Sequence, residues 1–163
     1  MQRKLPELSI FFPFWNEQAN IEATVKKAKP IAEEIAEKWE IIMVDDGSSD
    51  NTLQIAKKLA SEDKRLQVVT HQPNRGYGAA LTSGFTHSQY DYVVFTDGDG
   101  QFDFSEIDKF VDKIHEADMV IGFRQKRRDR KLFKRLLLMN LLKVWDFALF
   151  HFYGTVSSVV CRF

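Results

Sequence analysis

Asp97 and Asp99 close an apolar run in FTDGDGQF (95–102), two carboxylates two positions apart with Gly98 and Gly100 beside them. Carboxylates crowded at a strand end repel one another unless a cation sits between them. Gln101 follows, so two carboxylates and an amide oxygen are able to face one point. That donor set suits a hard divalent cation, Mg2+ or Mn2+, which takes oxygen ligands and often completes its shell with substrate phosphates. The glycines keep side chains away where a ligand must approach. Asp-Gly pairs also serve as plain turns; the metal reading draws on the pair ending an apolar strand and on Gln101 after it.

Three further stretches have the residue types for ligand binding. In VDDGSSDNT (44–52), Ser49 or Asp50 is placed to cap the helix that follows. Asp45 and Asp46 remain at the strand end, one to be held by backbone amides and the other to accept hydrogen bonds from a ligand. In PFWNE (13–17), Pro13 ends a strand, Trp15 offers a flat face to a base or lies in the core, and Glu17 could accept from a ribose or base. NRGYGAALTSG (74–84) leads a loop holding Arg75, Gly76 and Gly78 into a helix start, which suits close approach of backbone to phosphate or ribose. It is not the dinucleotide fingerprint, because the third glycine is missing and the loop follows the third strand rather than the first. The four histidines show no metal-ligand spacing, and no nucleophile–base pair stands out.

These residues need elements to hold them. Apolar runs at 8–14, 40–46, 66–71, 91–97 and 117–123 read as strands. Helical patterns lie between them at 19–39 (with a bend or break at Pro30), 50–63 and 78–88, and from Ser105 to about 116, where Ser105 and Asp108 have capping-box spacing. Near-continuous apolar strands alternating with helices predict an α/β fold, a parallel sheet covered on both faces. Right-handed crossovers put every strand's carboxyl end on one edge, where such sheets bind ligands. Asn16 and Glu17, Asp45 and Asp46, His71 and Arg75, Asp97 and Asp99, and Arg124 follow the five strands in turn.

The 163 residues make one domain's worth of chain, 44% hydrophobic and 28% charged, as in ordinary soluble proteins. One cysteine, Cys161, excludes an internal disulfide framework, and Glu7 interrupts any leader-like apolar run, so a cytoplasmic setting is expected. The net charge of zero hides an asymmetry. Residues 1–123 carry 13 Lys and Arg against 21 Asp and Glu, a balance of −8; residues 124–163 carry 10 against 2, a balance of +8. The chain therefore divides into a body, 1–123, and a basic, apolar tail, 124–163. RQKRRDRKLFKR (124–135) has eight basic residues, and 136–153 is apolar but broken by Asn140, Lys143 and Asp146, too interrupted for a transmembrane span. It fits either an interfacial helix at the inner face of a membrane or a core-covering helix with a solvated basic face. No aromatic interleaving points to nucleic acid.

Taken together and in this order, PFWNE, VDDGSSDNT, NRGYGAAL and DGDGQF resemble the inverting glycosyltransferases of family 2, and within them the dolichyl- and polyprenyl-phosphate sugar transferases. The resemblance spans residues 8 to about 124. It implies a GT-A fold (Rossmann-like, mainly parallel), a nucleoside-diphosphate-sugar donor, a divalent metal and, in that branch, a lipid-phosphate acceptor. By match to the family's motifs, Pro13, Trp15 and Glu17 line the nucleoside pocket, and Val44 and Asp46 contact base or ribose with Asp45 in support. Asp97, Gly98 and Asp99 form the D-x-D element, Asp99 and Gln101 being direct metal ligands, and Arg124 faces the diphosphate. Members of the branch continue well past the fifth strand, so this chain is expected to be truncated relative to them. That leaves a nucleotide-sugar-binding fragment without turnover as one alternative. A phospho-receiver domain, which also gathers acidic residues around Mg2+, is another; it would carry its acidic pair after the first strand, whereas the pair here follows the second.

Overall fold

The computed structural model describes residues 4–100, 104–123 and 156–162. In chain order these form β1 (Leu5–Phe14), α1 (Ile21–Ile35), β2 (Ala36–Asp45), α2 (Thr52–Glu62), β3 (Leu66–Thr70), α3 (Tyr77–His87) and β4 (Tyr92–Thr96). A 3-10 turn (Phe104–Ile107) then runs into α4 (Asp108–Ile114), followed by β5 (Met119–Phe123) and β6 (Val156–Arg162). The strands make one sheet in the order β3-β2-β1-β4-β6-β5.

Period-two alternation along the central strands builds a core on each face. Leu8, Ile10, Phe12 and Phe14 of β1 and Ile41 and Met43 of β2 join the larger core, with α1, α2, the 3-10 turn and α4 packed on it. α1 contributes Ile21, Val25, Ala28, Ala32 and Ile35, spaced by threes and fours as one buried helical stripe. Phe11, Ile42, Val44 and Val93 point to the other face, under α3. There the Phe11 ring stacks on Phe95 (centroids 5.2 Å apart) and meets Phe85 edge-on (4.9 Å). Gly84 lets α3 come this close, because a Cβ at that position would overlap the Phe11 ring.

The expected alternation of five strands with helices on both faces is present, and the structure departs from the sequence reading in three ways. α1 passes through Pro30 without a break and ends at Ile35. Residues 36–39, read as helix, start β2 instead, because Leu5–Leu8 pairs with Ala36–Trp39 in parallel register and Trp39 is buried beneath Arg65, whose guanidinium lies 4.0 Å from the ring centroid. The third departure is β6. The sequence reading placed 156–162 in a tail; it is a strand inside the sheet, antiparallel to β4 on one side and β5 on the other. β5 therefore runs in the direction of β4 without touching it, and the carboxyl ends of β1 to β5 still share one edge. Gln101, Arg124, the basic run 124–135 and the apolar stretch 136–153 lie outside the described residues. No helix among the described residues is long and apolar enough to cross a membrane.

Candidate functional site

The loops after β1 and β2 are zipped to each other, which explains much of PFWNE and VDDGSSDNT. Asn16, in a left-handed conformation (φ 56°), accepts from the Ser49 amide at 2.8 Å, and its own amide donates to Ser48 Oγ at 2.9 Å. The Glu17 amide donates to Thr52 Oγ1 (2.8 Å), and the Gln18 amide to Asp50 Oδ2 (3.2 Å). The N-cap of α2 is Asn51, not the expected Ser49 or Asp50, and it makes no side-chain cap bond; Asp50, one residue earlier, accepts from the Thr52 amide at 2.9 Å. The Glu17 carboxylate is occupied locally, accepting from Asn20 Nδ2 at 2.6 Å.

Of the acidic pair, Asp46 is held by the backbone amides of the loop after β3. Its Oδ1 meets the Arg75 amide (2.9 Å) and His71 Nδ1 (2.7 Å), its Oδ2 takes the Gly76 amide (2.8 Å), and its carbonyl accepts from Asn74 Nδ2 (2.6 Å). Burial pushes the Asp46 carboxyl up, but the Arg75 amide, His71 and the Gly76 amide outweigh it and hold the group below its ordinary value. A carboxylate offers about four lone-pair sites, so these three bonds leave Oδ2 room for one more donor. Asp45 lies deeper: Oδ2 accepts from the Ser48 amide and Thr70 Oγ1, while Oδ1 is buried with no hydrogen-bond partner. Gly47 (φ 71°) passes so close to the Asn74 backbone that a Cβ would overlap it, which brings the loop after β2 against the loop after β3.

Between these loops and α3 opens a cavity of about 310 Å3, lined by Pro13, Phe14, Trp15, Asp46, Asn74, Gly76, Tyr77 and Ala80. Trp15 and Tyr77 are its aromatic walls; both are more than half exposed (60% and 55%), so Trp15 is not a core residue. Val44, Glu17, Arg75 and Gly78 are not in the lining: Val44 lies wholly in the core beneath α3, and the Glu17 carboxylate turns back to Asn20.

Tyr77 connects this cavity to the D-x-D element. Its hydroxyl donates to Asp97 Oδ1 at 2.8 Å, and burial, followed by that bond, raises the phenol's pKa well above its ordinary value. Asp97 and Asp99 follow the end of β4 and, with Gly100, line a second cavity of about 130 Å3 whose α1 side carries Thr24 and Lys27. Gly98 has no room for a side chain, since a Cβ would strike the Phe14 ring and sit 3.0 Å from the Pro13 carbonyl. Among the described residues no three His, Cys, Asp or Glu side chains form a metal cluster. What the edge offers is a carboxylate pair. That set does not fit zinc, which wants nitrogen or sulfur ligands, and does fit Mg2+ or Mn2+ drawing further oxygens from phosphate and water.

A mainly parallel sheet with an acidic pair at its carboxyl edge and an aromatic-walled cavity beside it has the architecture of a Rossmann-like, GT-A domain. The chain belongs to glycosyl transferase family 2, whose profile matches residues 9–162. It is 31% identical over 142 residues to the undecaprenyl-phosphate 4-deoxy-4-formamido-L-arabinose transferase of Salmonella choleraesuis (strain SC-B67), a match covering 85% of this chain and 43% of that one. The Salmonella paratyphi B protein of the same name matches at the same identity and coverage. The chain thus spans less than half the length of these relatives. Its fold is shared with the mannosyltransferase PcManGT of Pyrobaculum calidifontis, solved with GDP-Man and Mn2+ (TM-score 0.63, 22% identity, 97% of this chain and 45% of that one). It is shared too with glucosyl-3-phosphoglycerate synthase of Mycobacterium tuberculosis, solved with Mn2+, UDP and glucosyl-3-phosphoglycerate (TM-score 0.65, 23% identity, 96% and 57%). The phospho-receiver alternative falls with the family match, which takes in the antiparallel β6.

Sequence reading placed His71 at the ligand edge without a role and singled out neither Asn74 nor Tyr77. Each sits in HQPNRGY at the right sheet edge. Nothing in their spacing marks Asp46 as the partner of the first two or Asp97 as the partner of the third.

Proposed function

We propose that this chain is the donor-binding part of an inverting glycosyltransferase that takes a sugar from a UDP- or GDP-sugar and passes it to a lipid phosphate. One observation carries the reading: Tyr77, a wall of the aromatic cavity, donates its hydroxyl to the carboxylate of Asp97, which lines the second cavity. A nucleoside between Trp15 and Tyr77 would extend its diphosphate toward Asp97 and Asp99. Trp15 stacks on the base, and the vacant acceptor site of Asp46 Oδ2 takes a base or ribose donor. Pro13 and Gly76 put backbone in the cavity wall, and Gly98 lets the Asp97–Asp99 turn pack on the Phe14 ring. Glu17, Asp45, Val44, Arg75 and Gly78 support the loops that form the wall.

Asp97 and Asp99, with Gln101, would hold Mg2+ or Mn2+, and a bound cation would offset charge developing on the leaving β-phosphate. Arg124 would add a second positive charge there. In the transfer an acceptor oxygen attacks the anomeric carbon and forms the new C–O bond. The bond from that carbon to the β-phosphate oxygen breaks, and the electron pair leaves with the nucleoside diphosphate. An ionised phosphate acceptor has no proton to lose, so the chain needs no strong general base. The lipid acceptor draws support from the names of the Salmonella relatives and from the basic run 124–135, which suits peripheral contact with an anionic membrane.

A thermal-shift panel of UDP, GDP and their sugars, with and without Mn2+, tests the reading. A ligand at 100 times its Kd adds about 2.7 kcal/mol of stability, so a binder with a Kd of about 10 μM registers clearly at a dose of about 1 mM. One base should stabilise the protein, more strongly with Mn2+. If no nucleotide does so, the reading is wrong; binding without any sugar transfer to a lipid phosphate would leave the fragment alternative in its place.

A further inference from the structure

His71 touches neither cavity, yet it is 5% exposed and both of its ring nitrogens are engaged. Nδ1 lies 2.7 Å from Asp46 Oδ1, and Nε2 lies 2.8 Å from Ser83 Oγ on α3. Its amide donates to the Asp45 carbonyl at 2.9 Å, extending the β2–β3 pairing by one residue and fixing where the ring starts. We propose that His71 is a positioning residue of the nucleoside cavity, an imidazole with its proton on Nδ1 that fixes Asp46 and, through it, the 74–76 loop. The proposal rests on the nucleotide reading given above.

The proton's place follows from the partners. An ionised carboxylate only accepts hydrogen bonds, so the nitrogen facing Asp46 must be the donor. Nε2 then faces a hydroxyl, which donates to a bare nitrogen or accepts from a protonated one. Asp46 thereby sets the tautomer, and the ring ties β3, α3 and the end of β2 together.

What the ring holds in place is the cavity wall. Asp46 takes the Arg75 and Gly76 amides on its carboxylate and Asn74 Nδ2 on its carbonyl, and Asn74, Gly76 and Tyr77 then line the cavity. Among the described residues His71 is the side-chain partner of that carboxylate, the rest being backbone amides. Turned away from His71, Asp46 would lose both the loop's anchor and the orientation of its vacant acceptor site. The sequence Asp46–His71–Ser83 has the order of a nucleophile relay. Ser83, however, lines neither cavity, so no substrate in them reaches its hydroxyl.

Two substitutions separate the ring's two contacts. His71→Asn keeps an amide nitrogen near the place of Nδ1; His71→Gln puts one near Nε2 and leaves Asp46 without its partner. Losing a hydrogen bond to a charged group predicts that His71→Gln weakens UDP or GDP, whichever the unaltered protein binds, by at least about tenfold. His71→Asn should stay within about threefold, and Mn2+-pyrophosphate affinity should change less than about twofold in both. In the unaltered protein, 15N NMR of the imidazole should place a proton on Nδ1, a readout that does not depend on the variants folding. A bare Nδ1, unchanged nucleotide affinity in His71→Gln, or an equal loss for pyrophosphate would each overturn the proposal. If the unaltered protein bound no nucleotide, the pocket reading would fall first and this with it. The wild-type titration tells that failure apart from a failure of His71 alone.

Discussion

Asp46 carries more of the site than its neighbours. Its burial, its three carboxylate bonds and its place in the cavity wall make it at once a loop anchor and a ligand contact. Asp46→Ala should weaken nucleotide binding by about 1–3 kcal/mol, the cost of leaving buried donors unpaired. Pyrophosphate binding with Mn2+ should barely change; titration calorimetry with both ligands checks the difference. At this scale residue types were legible and partners were not. Asp97 and Asp99 could be placed at the sheet's carboxyl edge because they close an apolar strand in an alternating α/β pattern. That Asp46 faces His71 across 25 positions, or that Tyr77 meets Asp97, depends on how far apart the strands bring the loops, and no local pattern encodes it. Trp15 shows the same limit, since exposed stacking platform and buried core residue look alike in sequence.

At the scale of elements, the long apolar strands and the striped helices were legible, and the misread pieces were those whose state is set by a partner. Residues 36–39 have a helical pattern yet pair with β1. β6 is inserted antiparallel between two strands that precede it, in a sheet otherwise read as parallel. Val159 in β6 pairs with Phe95 of β4 and Ile121 of β5, so a proline there should remove a ladder bond in a central strand and release β5. Hydrogen exchange should show the 119–123 amides of Val159→Pro losing protection while those of β1 and β2 keep theirs. The junction of α2 with β3 makes a separate prediction. Arg65 first, and Lys29 with it, hold the Asp63 carboxyl well below the usual carboxylate range, at bonds of 3.0 and 2.6 Å. A carboxyl depressed in the folded state stabilises above its unfolded value of about 3.9, and that contribution is lost as pH falls through the folded value. Asp46 and Asp50 act in the same sense. Asp108, raised by burial and then by Glu34 and Asp112, acts in the opposite sense and gains from protonation. The melting temperature should therefore drop below about pH 4, and Asp63→Asn, less stable at neutral pH, should drop less over that window.

Over the whole molecule, the charge is divided between an acidic body, −8 over residues 1–123, and a basic remainder, +8 over 124–163. Each Lys or Arg near an anionic bilayer contributes about 1 kcal/mol, so a few of the eight between 124 and 135 suffice for weak attachment. In flotation assays the protein should rise with anionic vesicles at low salt, stay down with neutral ones and detach at high salt. Charge-neutral substitution of the basic run should abolish flotation; flotation with neither kind of vesicle would remove the membrane proposal. The proposed nucleotide lies between Trp15 and Tyr77 with its diphosphate at Asp97 and Asp99. Titration calorimetry of the unaltered protein and Asp99→Ala with UDP and GDP, each with and without Mn2+, tests it most directly. Mn2+ should tighten one nucleotide for the unaltered protein, and Asp99→Ala should keep the metal-independent affinity while losing the Mn2+ increment. An undiminished Mn2+ increment in a folded Asp99→Ala protein would contradict it.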